Sequence, residues 1–96
     1  VGYPEMYYLL GKPEKARSAA EALIKIFKEQ LIWLAEFPKE DSDQIFEEID
    51  NNLLMYRNII ATQIDRFDID EEYKTNKQNE FIETVKLFNH LMPEEE

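Results

Sequence analysis

The stretch from Lys12 to Phe37, KPEKARSAAEALIKIFKEQLIWLAEF, decides the fold. One row of apolar side chains runs Ala16, Ala20, Leu23, Phe27, Leu31, Leu34. A second runs Ala19, Leu23, Ile26, Gln30, Trp33, Phe37. Both step by three and four, the spacing that places side chains on one face of an α-helix. One stripe suffices for a helix lying on a core, so two adjacent stripes predict neighbours on two sides. The alanines near the start allow close approach, and the bulky residues further on fill a wider gap. Gly11 suits the left-handed position that closes a preceding helix, and Pro13 suits the first turn of the next. Pro38 ends the pattern.

Outward from this helix, composition bounds the rest. The 96 residues predict a single domain, residues 1–96, with one modest core. Only 2 Gly and 4 Pro accompany abundant apolar residues, so the chain is neither disordered nor linker-like. The absence of Cys removes disulfides, thiolate metal sites and Cys nucleophiles together. No apolar run approaches the length of a membrane span. The net charge of −10 is uneven. Residues 1–37 hold five acids and five bases; residues 38–96 hold the other sixteen acids and six bases. Such a surface repels phosphates and anionic headgroups, which argues against direct nucleic-acid binding.

Upstream, YPEMYYLL (residues 3–10) reads as a short helix with Pro4 in its first turn, and about two turns are marginal unless packed. It looks like the tail of a longer helix cut short. Gly11 to Pro13 suffices only to reverse the chain, so the first two helices are expected to form an antiparallel hairpin. Tyr8, Gly11, Ala16 and Ala20 resemble the turn of a tetratricopeptide repeat, without a second copy at a period of 34. Downstream, Asp41 with Gln44 makes a candidate capping box. The third helix is expected to reach about Phe67 on the row Ile45, Ile49, Leu53, Tyr56, Ile60, Ile64, Phe67. The fourth starts near Asp68 or Asp70, with Asp68 and Glu71 as a second capping box. Its apolar positions are Tyr73, Phe81, Val85, Phe88 and Met92, and Pro93 stops it. Its opening, EEYKTNKQNE, is polar and is expected to be the least anchored part of the domain.

No constellation carries chemistry. A carboxylate-bridged metal centre needs Glu-x-x-His steps, but Leu87 stands three residues before the only histidine, His90. Glu40, Asp41 and Asp43 lack the spacing and central Gly of an EF-hand loop. Ser18 and Ser42 have no nearby His and no Gly-rich elbow. No catalytic residue, cofactor site or metal ligand is therefore assigned. Tyr7, Tyr8, Trp33 and Tyr56 make a candidate amphipathic surface for a protein partner, with core burial as the competing reading.

Several segments resemble the soluble C-terminal region of a family of multi-pass bacterial membrane proteins, common in Bacteroidetes and described as protein O-mannosyltransferase-like. The residues that carry the resemblance are Tyr7-Tyr8 with Leu10-Gly11, Glu14-Lys15-Ala16, Leu31-Ile32-Trp33-Leu34, and the helix NNLLMYRNII after a short polar loop. The family favours an aromatic pair where this chain has Ile32 and Trp33. The resemblance covers residues 3–65. It implies a parent with many upstream spans, glycosyl transfer carried by the membrane part, and a non-catalytic domain on the extracytoplasmic side of the inner membrane that holds an acceptor protein or a partner subunit.

The expectation is thus an all-α domain of four helices in two antiparallel hairpins, a TPR-like array or small bundle whose first helix is truncated. Its expected role is accessory or protein-interacting. The alternatives are a free-standing homodimeric bundle and a small-molecule or metal-binding bundle.

Overall fold

The computed structural model describes residues 4–89, which form helices throughout and no strand. Helix α1 spans Pro4–Leu9, α2 Pro13–Leu34, α3 Ser42–Ile59, α4 Asp65–Phe67 and α5 Glu71–Lys86. A 3₁₀ turn, Lys39–Asp41, precedes α3, and a π-helical segment, Ile60–Ile64, joins α3 to α4 without leaving helical backbone angles. The long third helix expected to end near Phe67 is therefore present, with one wide turn inside it.

Each boundary has a local cause. Gly11 adopts φ +73°, and its N–H and that of Lys12 close on the carbonyls of Tyr8 and Tyr7. A Cβ there would meet nothing within 4 Å, so the backbone angle, not space, calls for glycine. Pro13 opens α2, and its missing N–H is one that no helical carbonyl would have accepted. The expected Asp41–Gln44 capping box does not form. Asp41 belongs to the 3₁₀ turn instead, where its N–H reaches the Pro38 carbonyl, and its side chain caps nothing. At α5 the cap is Asp70, whose Oδ1 accepts from the N–H groups of Glu72 and Tyr73. Asp68 is thereby released from the expected capping role and used elsewhere.

The core draws on the expected rows of α2 and α3 and adds Ile24, which lies on neither stripe of α2, and Ile59, beside the α3 row. Ala20, Ile24, Leu31 and Leu34 meet Ile45, Ile49, Tyr56, Ile59, Ile60 and Ile64, with Phe88 closing one end. Ala16 and Ala20 are fully buried, so the start of α2 is approached closely. Leu23, Phe27, Leu53, Tyr73 and Phe81 pack on the outside of this cluster. Tyr56 has no exposed surface, and its ring meets Phe81 edge to face at 5.0 Å between centroids. The second stripe of α2 behaves differently from expectation. Ala19 is buried beneath α1, but Ile26 is 62% and Trp33 53% exposed. α1 has only six residues and at about 1.5 Å each covers less than half of α2. Leu23 and Phe37 of the same stripe pack against the core, so the stripe is covered at Ala19, Leu23 and Phe37 and left outward at Ile26 and Trp33.

Contacts advance together along two helix pairs. Glu5 meets Gln63 and Tyr8 meets Asp68, so α1 runs the same way as the end of the third helical run. Glu21 meets Lys77 and Lys28 meets Glu80, so α2 and α5 share a direction. The molecule is a slab of 48 × 27 × 16 Å with a radius of gyration of 15.0 Å. A compact domain of this length would have roughly 12–13 Å. The elongation favours an open layered arrangement over a closed bundle. His90, Leu91, Met92 and Pro93, expected to end the last helix, lie outside the described residues.

The Tyr56 hydroxyl is buried beside Thr84 and makes no hydrogen bond of good geometry among the described residues. Its removal takes away an unpaired polar atom and leaves the packed ring in place. Tyr56→Phe is expected to leave the thermal midpoint unchanged or raise it, whereas Tyr56→Ala lowers stability by about 3–5 kcal/mol through the cavity it opens. Calorimetry of both variants checks the pair of outcomes.

Candidate functional site

The densest polar cluster joins α1, α2, the α4–α5 connector and α5. At its centre is Asp68, 3% exposed. Its Oδ1 accepts from Arg17 Nη2 at 2.7 Å and from the Asp70 N–H at 3.0 Å. Its Oδ2 accepts from Arg17 Nε at 2.7 Å and from the Tyr8 hydroxyl at 2.6 Å. The planar guanidinium thus grips both oxygens at once, a geometry open to Arg and closed to Lys. Every direction of approach to the carboxylate is taken by a donor, so a buried charge is fully compensated.

The cluster continues outward. Arg17 lies over the Tyr73 ring at 4.5 Å from its centroid, and Lys77 Nζ stands 5.4 Å from the same centroid. Lys77 is itself buried and donates to Glu21 at 2.7 Å, with Glu80 3.4 Å away. Phe67 stacks on Tyr8 at 6.0 Å, and the Gln63 side-chain Oε1 accepts from the N–H of Glu5 at the head of α1. Gln78 donates to both oxygens of Asp65. These contacts correct the expectation that the first turns of α5 are the least anchored. The residues read as merely polar in EEYKTNKQNE include Lys77, whose alkyl stem packs inward while its ammonium reaches Glu21.

The charges follow from the contacts. Hydrogen bonding from Arg17 outweighs burial and, with Tyr8, the Asp70 N–H and the Arg17 charge, holds the Asp68 carboxyl well below the usual carboxylate range. Burial, and then the acceptor oxygen of Asp68, pushes the Tyr8 phenol far above its ordinary value. Burial pushes Tyr73 up to about 12, with Glu21 adding to the shift and the two cations opposing it. Burial works against the Lys77 ammonium, but Glu21 overcomes it and raises the group. Asp68, Tyr8, Tyr73 and Lys77 in this cluster are each shifted away from neutrality. General acid–base work needs a group that can change state near the working pH. The cluster's chemistry is therefore structural: it fastens four elements together.

The residues expected to form a partner surface are dispersed. Tyr7 is half-buried at the α1–α2 valley, beside Ser18, Ala19 and Ala22. Tyr8 is committed to Asp68, and Tyr56 sits in the core. Trp33, edge-on to Phe37 at 5.0 Å, is roughly 25 Å further along α2 than the valley's start. Only Tyr7 and Trp33 remain on one outward side. The larger depressions are open to solvent. Among the described residues no three His, Asp or Glu side chains converge as a metal site would require, and no helix is long and apolar enough to cross a membrane. Sequence reasoning missed Arg17 and Asp68 as partners. The signal available was weak: two Asp residues flank Ile69 where a single cap would serve.

Asp68→Asn removes the charge from a buried pair and is expected to cost about 3 kcal/mol, a fall of roughly 12–20 °C in thermal midpoint for a domain of this size. The native carboxyl titrates below its unfolded value. Its stabilisation is therefore present above about pH 4 and is lost as pH falls towards the folded value. Wild-type stability should drop steeply with acid across this window and the Asp68→Asn variant less so, as read by urea melts at several pH values. Alkali acts with the opposite sign. The Tyr73 stabilisation is complete below about pH 10 and is lost as pH rises towards 12, so Tyr73→Phe should leave the phenolate absorbance unchanged until the upper end of that range.

Comparison of the chain with protein-family models, with curated proteins and with solved structures finds no match in any of the three.

Proposed function

We propose that this chain is a non-catalytic, helical protein-interaction domain that presents the outward face of α2. The observation that carries the reading is the exposure of Ile26 and Trp33 on the most firmly packed helix of the domain. Aromatic and large aliphatic side chains held on a rigid element are what a partner surface needs. A soluble surface without a partner keeps such groups scattered. The polar cluster around Asp68 supports the reading, because it fixes α1 against α2 and so fixes the shape of the valley beside Tyr7.

Two antiparallel hairpins, α1 with α2 and the third run with α5, form a TPR-like array in this reading. Its support is that α1 and α3 share one direction and α2 and α5 another. On the resemblance to the O-mannosyltransferase-like membrane proteins, the array would be an accessory domain of a membrane-bound glycosyltransferase-like parent, facing the extracytoplasmic side. The reading frame upstream of Val1 would then encode several apolar stretches of about 20 residues.

A photo-crosslinking residue at position 26 or 33 of the full-length gene product tests the role in the native cell. Protein adducts are expected at both positions and not at the exposed acidic position 47. Equal labelling at all three, or none at 26 and 33, contradicts the proposal.

A further inference from the structure

The outward face of α2 is self-complementary. The series Lys15, Ala22, Glu29 runs along it with a seven-residue step, and Ile26 and Trp33 flank that series at the same step. A seven-residue step keeps side chains on one side of a helix. The charges are placed symmetrically about the small residue in the middle, because Lys15 lies seven residues before Ala22 and Glu29 seven after it. A two-fold axis through Ala22 sets residue 22 + n of one copy against residue 22 − n of the other. Lys15 then faces Glu29 of the second copy, and Glu29 faces its Lys15. Ala22 meets Ala22, which lets the two helices approach closely.

The same axis gives the exposed Ile26 and Trp33 of α2 an apolar setting. Ile26 of one copy falls opposite Ser18, at the hollow lined by Tyr7, Ser18, Ala19 and Ala22 of the other. Trp33 falls opposite Gly11 and beside Leu10, itself 66% exposed. Lys15 is exposed and free of intramolecular ion pairs among the described residues, and Glu29 has only a long contact of 3.8 Å to Lys25. Neither needs to break a strong bond to pair across the axis. The reversed arrangement, with the helices running the same way, sets Lys15 on Lys15 and Glu29 on Glu29.

We infer that the partner of the α2 face is a second copy of this chain, its α2 antiparallel to the first about a two-fold axis at Ala22. The inference rests on the reading of this face as an interaction surface and names its occupant.

Analytical ultracentrifugation of the chain tests it. The wild type is expected to give a dimer mass at concentrations above roughly 100 µM. Ile26→Glu is expected to give a monomer with unchanged helical circular dichroism. Lys15→Glu or Glu29→Lys sets like charges together at two places and should weaken association by about tenfold, whereas the two changes combined restore it. That rescue distinguishes pairing about Ala22 from association by another surface. A wild type that stays monomeric overturns the self-pairing but leaves the interaction reading to the cellular crosslinks. A dimer insensitive to Ile26→Glu, or charge variants without rescue, overturns this face as the dimer contact.

Discussion

The bidentate contact between Arg17 and Asp68 is the constraint on which the arrangement depends. An aspartate with 3% exposure would be intolerable without its four donors. Those donors come from α1, α2 and the connector itself, so satisfying one carboxylate fixes three pieces of chain at once. The six-residue α1 shows the effect most plainly. A helix of that length has no stability of its own. It is held by Tyr8 at one end and by Gln63 on the Glu5 N–H at the other, with Phe67 stacked against Tyr8. The π-helical segment contributes here, since it ends one turn before Asp68 and carries Gln63.

Much of the fold is legible from periodicity. The three-four rows of α2 and α3 reappear as the core, and Gly11, Pro13 and Pro38 mark the boundaries where backbone chemistry requires them. Two features were not legible. The capping roles were legible only in part: the last helix is capped by Asp70 rather than Asp68 and Asp41 caps nothing, because the three Asp residues have the same side chain and only tertiary contacts decide which caps. The polar opening of α5 was read as loosely held because periodicity counts apolar positions, whereas Lys77 and Tyr73 are fastened by charge and ring contacts with α2. The π-helical turn has no sequence signature in IATQI that distinguishes it from ordinary helix.

The outward side of α2 shows the converse failure. Its second stripe predicts a neighbour along its length, and the chain supplies one at Ala19, Leu23 and Phe37 but not at Ile26 or Trp33. The remaining apolar residues are then available to another molecule. Of the four aromatic residues read as one surface, the structure separates two by burial or hydrogen bonding and leaves Tyr7 and Trp33 outward. The symmetric placement of Lys15 and Glu29 about Ala22 connects that exposure to a partner of defined chemistry. A rigid domain is a precondition, because an interface read from one face requires that face to keep its shape on binding.

The central claim is that the Asp68 cluster makes α5 and α1 part of one cooperative unit with α2 and α3. Native-state hydrogen exchange tests it most directly. The account predicts that the Asp70 amide, bonded to Asp68, and the amides of the middle of α5 exchange only through global unfolding, with the same free energy as those of α2. Exchange of α5 at a markedly lower free energy than α2 would show that the cluster does not bind the slab together, and would contradict it.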